Sequence, residues 1–332
     1  MNTGASGDWQ PAATLEVLKL RARLLERTRA FFQARDVLEV ETPILSAATS
    51  PEPHIESFHT IYVGPGFGRG KKLYLQPSPE FAMKRLLAAG SGPIYQIGKV
   101  FRNNEAGRLH NPEFTMLEWY RPGFDHHALM GEVEELVTTL LGDRARRTKT
   151  EKLSYAEAFE QHAGIDPHAA REEDFAACAK KFLVRAPDTM TPHHLDDWRD
   201  LILTHVVEPQ LGKDRLTFIY DYPATQASFA RIRPGSPPLA SRFELYLSGM
   251  ELANGFHELT DSDEQELRLR HQSLERKHHE TGSVPIDERL LAALAAGLPD
   301  CSGVALGFDR LVIQAADAHS IDGVIAFPID RA

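Results

Sequence analysis

The chain has 332 residues, of which 42% are hydrophobic, 25% charged and 8% aromatic, a composition that excludes disordered, collagen-like and coiled-coil architectures. Two cysteines, Cys178 and Cys301, are too few for a disulfide framework, and no run approaches the roughly 18 apolar residues of a membrane helix. A net charge of −10, with 47 acidic against 37 basic residues, argues against tRNA or DNA as the main partner and suits a cationic one. The first residues have no basic stretch followed by an apolar core, so a cytoplasmic protein without a signal peptide is expected.

In chain order, residues 1–13 read as a flexible leader. Thr14 is the expected N-cap of a helix running to about Ala34, with Leu18, Ala22, Leu25 and Phe32 on its apolar face. Leu38 and Val40 alternate with Glu39 and Glu41, a half-buried strand stopped at Pro43. Strands are expected at 72–76 and 94–101. Between them Ser78-Pro79-Glu80 opens a helix that Gly90 closes. Residues 129–141 and most of 151–212 read as helical, 216–257 as a second cluster of strands, and 264–279 as a helix with Glu264/Arg268 and Glu266/Arg270 pairs. The fold class expected is α+β: one domain over 14–332, an antiparallel sheet flanked by helices, with a helical insertion at about 151–212.

Some tempting features carry no chemistry. In Gly64–Lys72, Pro65 stands where the first glycine of a phosphate loop belongs and Lys72 where its hydroxyl belongs, so the segment reads as a hairpin tip. The pairs His126-His127, His193-His194 and His278-His279 have no partners at metal-ligand spacing and read as solvated surface. Cys178 and Cys301 read as small buried residues.

Three segments do carry chemistry. In Phe101–Tyr120 a strand, a polar loop and a second strand follow one another; alternation puts Phe114, Met116, Glu118 and Tyr120 on one face. An acid and a phenol beside Phe and Met are costly to bury unpartnered, and read either as an ion-paired sheet edge or as a pocket in which Glu118 and Tyr120 receive a cationic ligand. In Arg242–Glu258 the Ser248-Gly249 turn closes a hairpin in which Tyr246 faces Glu251 and Glu244 faces Ala253. Glu244 and Glu251 then share a face, an arrangement that repels unless a cation such as Mg²⁺ lies between them. In Gly303–Leu311, small residues at 303, 305 and 307 leave a strand face bare, and Arg310 opens a helix whose N-terminus suits a phosphate.

These segments resemble motifs 2 and 3 of the class II aminoacyl-tRNA synthetases, and 38–45 resembles motif 1. The wording is lysyl: Arg102-Asn103, His110–Glu118 and Asn254-Gly255-Phe256. The resemblance begins almost at the start of the sequence, so an anticodon-binding domain is not expected. With Gln76–Glu80, Met83–Leu87 and Glu251–Asp261 the chain is similar to a family of stand-alone, synthetase-like lysine ligases. That resemblance implies ATP and Mg²⁺, (R)-β-lysine, transfer to a lysine of elongation factor P, and a homodimer. It implies Arg102 on the α-phosphate and carboxylate, Phe114 on adenine, and Arg310 on the γ-phosphate. Asn103, Asn104, His110, Asn111, Leu252 and Gly307 complete the nucleotide site, with Glu244 and Glu251 on Mg²⁺. Ser78, Glu80, Glu118, Tyr120, Glu258 and Ala305 surround the amino acid. One departure stands out: the family carries Arg-Asn-Glu where this chain has Arg102-Asn103-Asn104, so a carboxylate is missing at 104 and Glu105 is its nearest substitute. The alternatives are a truncated lysyl-tRNA synthetase charging tRNA with α-lysine, and an inactive regulatory paralogue; the intact Arg102, Glu251, Glu258 and Arg310 oppose the latter.

Overall fold

The computed structural model describes residues 9–145, 149–187, 195–278 and 283–332. The chain divides into two compact units, one of Met1–Gly123, Thr260–Cys301 and Ala305–Ala332, the other of Phe124–Leu259 and Ser302–Val304. Within the leader, residues 1–8 lie outside the described chain, as do His193 and His194.

The first unit opens with helix α1 (Leu15–Gln33), whose Thr14 hydroxyl accepts the Val17 N–H at 3.4 Å. Its buried face is Leu24, Thr28, Phe31 and Phe32; Ala22, expected on that face, is exposed. The stripe is set by Phe32, which stacks on Tyr95 at 4.4 Å and meets Trp119 edge-on. Strand β1 (Leu38–Glu39) runs parallel to a later strand, and Leu38, expected to be half-buried, is 56% exposed. Strands β2 (Leu45–Ser46), β3 (His59–Tyr62) and β4 (Lys71–Leu75) form a small sheet in the order β2-β4-β3. The glycine-rich segment joins β3 to β4 as a hairpin connection, as its sequence implied.

Helix α2 (Glu80–Ala88) follows, and Gly90 takes φ +86° just beyond it. Strands β5 (Ile94–Phe101) and β6 (Glu113–Pro122) then pair antiparallel along their length, from Ile94 opposite Tyr120 to Phe101 opposite Glu113.

The second unit starts with helix α3 (His126–Leu141), capped by the Asp125 carboxylate. The region expected to be helical begins instead with strand β7 (Glu151–Ser154), because its backbone joins a parallel ladder with β8 (Thr217–Pro223). Helices α4 (Tyr155–His162), α5 (Glu172–Lys181) and α6 (Leu195–Ile202) lie between them, α4 held by a Ser154/Glu157 capping box. They share a core of Tyr155, Phe159, Phe175, Ile202, Val207 and Tyr222. Strand β9 (Ile232–Arg233) pairs with β10 (Leu239–Leu247), which pairs on one side with β8 and on the other with β11 (Met250–His257). His126 is 3% exposed, with Nε2 3.4 Å from an Asp221 oxygen, so the expectation that this pair is solvated fails at its first member. Cys178 and Cys301 are free thiols and buried.

The chain then returns to the first unit. Helix α7 (Ser262–His278) carries both expected Glu–Arg pairs and touches α8 (Glu288–Gly297), which packs on α2. Strand β12 (Cys301–Gly307) leads into α9 (Phe308–Ala316), which packs on β6 and α1. No described helix is long and apolar enough to cross a membrane.

Candidate active site

Alternation along β6 puts Glu118 and Tyr120 on one face, and the structure brings Ser78 to them. Glu118 is 2% exposed; Ser78 Oγ donates to its Oε2 and Tyr120 Oη to its Oε1, each at 2.8 Å. Two donors fix the carboxylate's rotamer, which is what a charged ligand requires of its partner. Ser78 Oγ also accepts the Glu80 N–H at 3.0 Å and so serves the start of α2 as well. Glu80 itself pairs with Lys84 Nζ at 2.6 Å, one turn along the helix, and Lys84 is buried. Two residues here were not singled out from the sequence. Lys84 is one. The other is Gln96, directly opposite Glu118 in the ladder and nine-tenths buried, whose Oε1 has no hydrogen-bond partner among the described residues. The signal was present: Gln96 is a lone amide in the otherwise apolar start of β5.

The nucleotide-loop residues cluster around Arg102. Its guanidinium lies 5.2 Å from the Phe114 ring centroid, 3.5 Å from a Glu105 oxygen, and donates from Nε to the Pro77 carbonyl at 3.4 Å. Glu105 is thus turned to Arg102. Asn103 and Asn104 instead give their side-chain amides to the two oxygens of Glu56, at 3.0 and 2.5 Å. Asn111 is buried and structural at both ends: Nδ2 donates to the Glu113 carbonyl at 2.7 Å and Oδ1 accepts the Ile329 N–H at 3.0 Å. At the loop's far side His110 Nε2 meets an Arg310 nitrogen at 2.7 Å, which makes that ring nitrogen the acceptor. Desolvation first, and the Arg310 cation second, hold the imidazole below its ordinary pKa, so it stays neutral.

Arg310 sits in the first turn of α9, with Gly307 as N-cap and Ala305 half-buried on β12. The adjacent Asp309 is a hub that sequence reasoning did not find. It is 2% exposed, pairs with Arg21 at 2.5 Å and accepts the Thr115 N–H at 2.6 Å, while Arg21 also donates to Thr115 Oγ1 at 2.7 Å. One carboxylate therefore joins α1, β6 and α9, the elements that carry Phe114, Glu118 and Arg310.

In the second unit the Ser248-Gly249 turn closes the hairpin and Tyr246 faces Glu251, as the sequence indicated. Glu244, however, faces Asn254 and not Ala253, because a bulge between Leu245 and Tyr246 adds one residue on the β11 side. Glu244 is 6% exposed, and its carboxylate is saturated. Tyr222 and Tyr246 donate to Oε2 at 2.7 and 2.5 Å, Arg242 and Asn254 to Oε1 at 2.5 and 3.0 Å. Burial first and Glu244 second hold both phenols well above their usual pKa, so they remain donors. With four donors in place, Glu244 would have to exchange at least one of them to reach a Mg²⁺ ion shared with Glu251. Among the described residues no group of three or more His, Cys, Asp or Glu side chains is placed to hold a metal ion. Glu251 is half-buried, Leu252 buried, and Glu258, 1% exposed, bridges to Ala230 at the end of β11. Gly255 is required: a β-carbon there would lie 2.4 Å from the Phe243 ring and 3.0 Å from the Gly303 carbonyl oxygen.

An antiparallel-rich sheet, a basic loop between paired strands, and an arginine opening the helix after a glycine-bearing strand define a class. The family description tRNA synthetases class II (D, K and N) matches residues 8–331, and the chain belongs to that family. Within it the chain is 51% identical to the Elongation factor P–(R)-beta-lysine ligase of Klebsiella pneumoniae subsp. pneumoniae, over 98% of both chains. The proteins of that name from Proteus mirabilis and Salmonella paratyphi B are 51% and 50% identical over the same share.

Proposed function

We propose that this chain joins ATP and (R)-β-lysine into β-lysyl-adenylate, and then transfers the β-lysyl group to a lysine side chain of elongation factor P. The observation that carries this reading is half-identity over 98% of both chains to ligases of that name. In the first step a carboxylate oxygen of the amino acid attacks the α-phosphorus and pyrophosphate leaves. In the second the acceptor amine attacks the acyl carbon, loses a proton and expels AMP.

Neither step needs a nucleophile from the protein; what it needs is orientation and positive charge. Arg102 is assigned to the α-phosphate and the carboxylate. Its present contacts, a long pair with Glu105 and the Phe114 face, are ones a triphosphate and an adenine ring replace. Arg310, propped by neutral His110, is assigned to the terminal phosphate. Asn103, Asn104, His110 and Asn111 shape the loop, and Gly307 keeps its approach open. Glu118, oriented by Ser78 and Tyr120, is assigned to a substrate ammonium. Glu80, already neutralised by Lys84, is assigned a weaker share. In the second unit Glu251 and Leu252 are assigned to the nucleotide and Glu258 to an ammonium. Mg²⁺ is assigned to the triphosphate, whose charge it offsets, with Glu251 and, on release of one of its donors, Glu244 as the protein carboxylates.

The test is pyrophosphate exchange with (R)-β-lysine and α-lysine, followed by transfer assays on elongation factor P and on tRNA. Exchange with (R)-β-lysine and labelling of elongation factor P are expected. Charging of tRNA with α-lysine in its place overturns the reading in favour of a truncated lysyl-tRNA synthetase.

A further inference from the structure

Arg102 can be useful only if the loop behind it holds one shape, and the loop's shape is unusual. Asn104 has φ +63°, a left-handed conformation that asparagine tolerates far better than longer side chains. Both asparagines of this loop turn their amides onto one acid, Glu56: Asn103 Nδ2 to Oε1 at 3.0 Å and Asn104 Nδ2 to Oε2 at 2.5 Å. The backbones are joined too, Asn103 N–H donating to the Glu56 carbonyl at 2.7 Å.

The segment bearing Glu56 is itself fixed. Thr49 and Ser57 hydroxyls share a hydrogen bond at 2.7 Å, and Arg276 of α7, 1% exposed, donates to the carbonyls of Glu52 and Ile55 at 2.8 and 2.6 Å. Glu56 is therefore a carboxylate mounted on an anchored loop, with both oxygens spent on neighbours of Arg102.

We propose that Glu56 is a positioning residue for ATP: its two oxygens clamp Asn103 and Asn104, hold residue 104 left-handed, and so set where Arg102 meets the triphosphate. The same clamp accounts for the sequence departure at 104. A glutamate there would bring a second carboxylate onto Glu56 and force a long side chain into the left-handed region; an asparagine supplies the donor that Glu56 needs.

The proposal rests on the assignment of Arg102 to ATP, and the experiment separates the two. Pyrophosphate exchange is measured as a function of ATP and of (R)-β-lysine for Arg102→Ala, Glu56→Ala, Asn104→Asp and the pair Asn104→Asp/Glu56→Gln. Arg102→Ala is expected to lose exchange. Glu56→Ala is expected to raise KM for ATP about tenfold, the worth of charge-assisted hydrogen bonds, and KM for the amino acid less than twofold. Asn104→Asp sets two carboxylates together and is expected to be worse; adding Glu56→Gln reverses donor and acceptor and is expected to recover most of the loss. A KM for ATP within twofold of wild type in Glu56→Ala, or no recovery in the pair, overturns the clamp alone. Undiminished exchange in Arg102→Ala overturns the site assignment and the clamp with it.

Discussion

Glu118, with its two hydroxyl donors, is the residue on which recognition of the amino acid is expected to turn. Glu118→Gln keeps the shape and removes the charge, so KM for (R)-β-lysine should rise by at least tenfold, since a hydrogen bond to a charged group is worth about 1.5–3 kcal/mol. KM for ATP should change little; equal losses for both ligands would remove Glu118 from the amino-acid side. Ala305, half-buried on β12, is expected to crowd the α-amino position. Ala305→Gly should raise kcat/KM for α-lysine by roughly tenfold to a few hundredfold relative to (R)-β-lysine, the range of a methyl-sized fit. An unchanged ratio means strand packing only. His110 makes a pH prediction. Its pKa in the fold lies below the ordinary value near 6.5, so the unfolded chain binds the proton first as pH falls. Its contribution to stability is therefore complete above about pH 6.5 and declines as pH drops toward the folded pKa. An NMR titration should show His110 titrating below pH 6.5, and Arg310→Gln should move it only part of the way back, because desolvation is the larger cause.

The elements decide which of these side chains meet. The β8-β10-β11 ladders converge on Glu244, and the residue is expected to act on the fold more than on Mg²⁺. Glu244→Ala removes an acceptor shared by the Arg242 guanidinium and two phenols and should destabilise by about 3–5 kcal/mol, as broken buried pairs do. A wild-type melting temperature with a changed Mg²⁺ requirement would show the opposite role. Gly255→Ala meets the Phe243 ring and the Gly303 carbonyl; overpacking of this kind costs about 1–3 kcal/mol, readable as a lower denaturant midpoint. The same ladders show what a sequence discloses. Strand β5, the Ser248-Gly249 turn and the Tyr246–Glu251 pairing were legible, because alternation and turn chemistry are local. The bulge that moved Glu244 opposite Asn254 was not, since it depends on the partner strand. Nor was the burial of His126, whose acid lies 95 residues away, nor the Glu56 clamp, 47 residues from Asn103. Of the expected site, Ser78, Glu118 and Tyr120 meet, as do Arg102 with Phe114 and His110 with Arg310. Lys84, the partner of Glu80, and Asp309, which ties α1 and β6 to α9, became visible only in three dimensions.

At the scale of the whole molecule, Leu38, Ile44 and Leu45 are 56%, 47% and 44% exposed, and we propose that a second copy of the chain covers them. Sedimentation is expected to give about twice the 37.1 kDa chain mass, and Ile44→Arg to shift it toward one. A wild-type protein that sediments as a single chain at micromolar concentration removes the dimer. Asp309 has a bearing on how the molecule is made. It joins Arg21 to a residue 288 positions later, and the N–H of Ala12 reaches the Ala326 carbonyl at 2.8 Å. On the ribosome, at about 5–20 residues per second, α1 therefore waits on the order of 15–60 s for the partner that seats it. Until then the Arg21 guanidinium and the Thr115 amide lack their shared acid, and the strand bearing Phe114 and Glu118 lacks its tether. The acid that fixes the strand of Phe114 and Glu118 thus arrives only with the last described helix, α9.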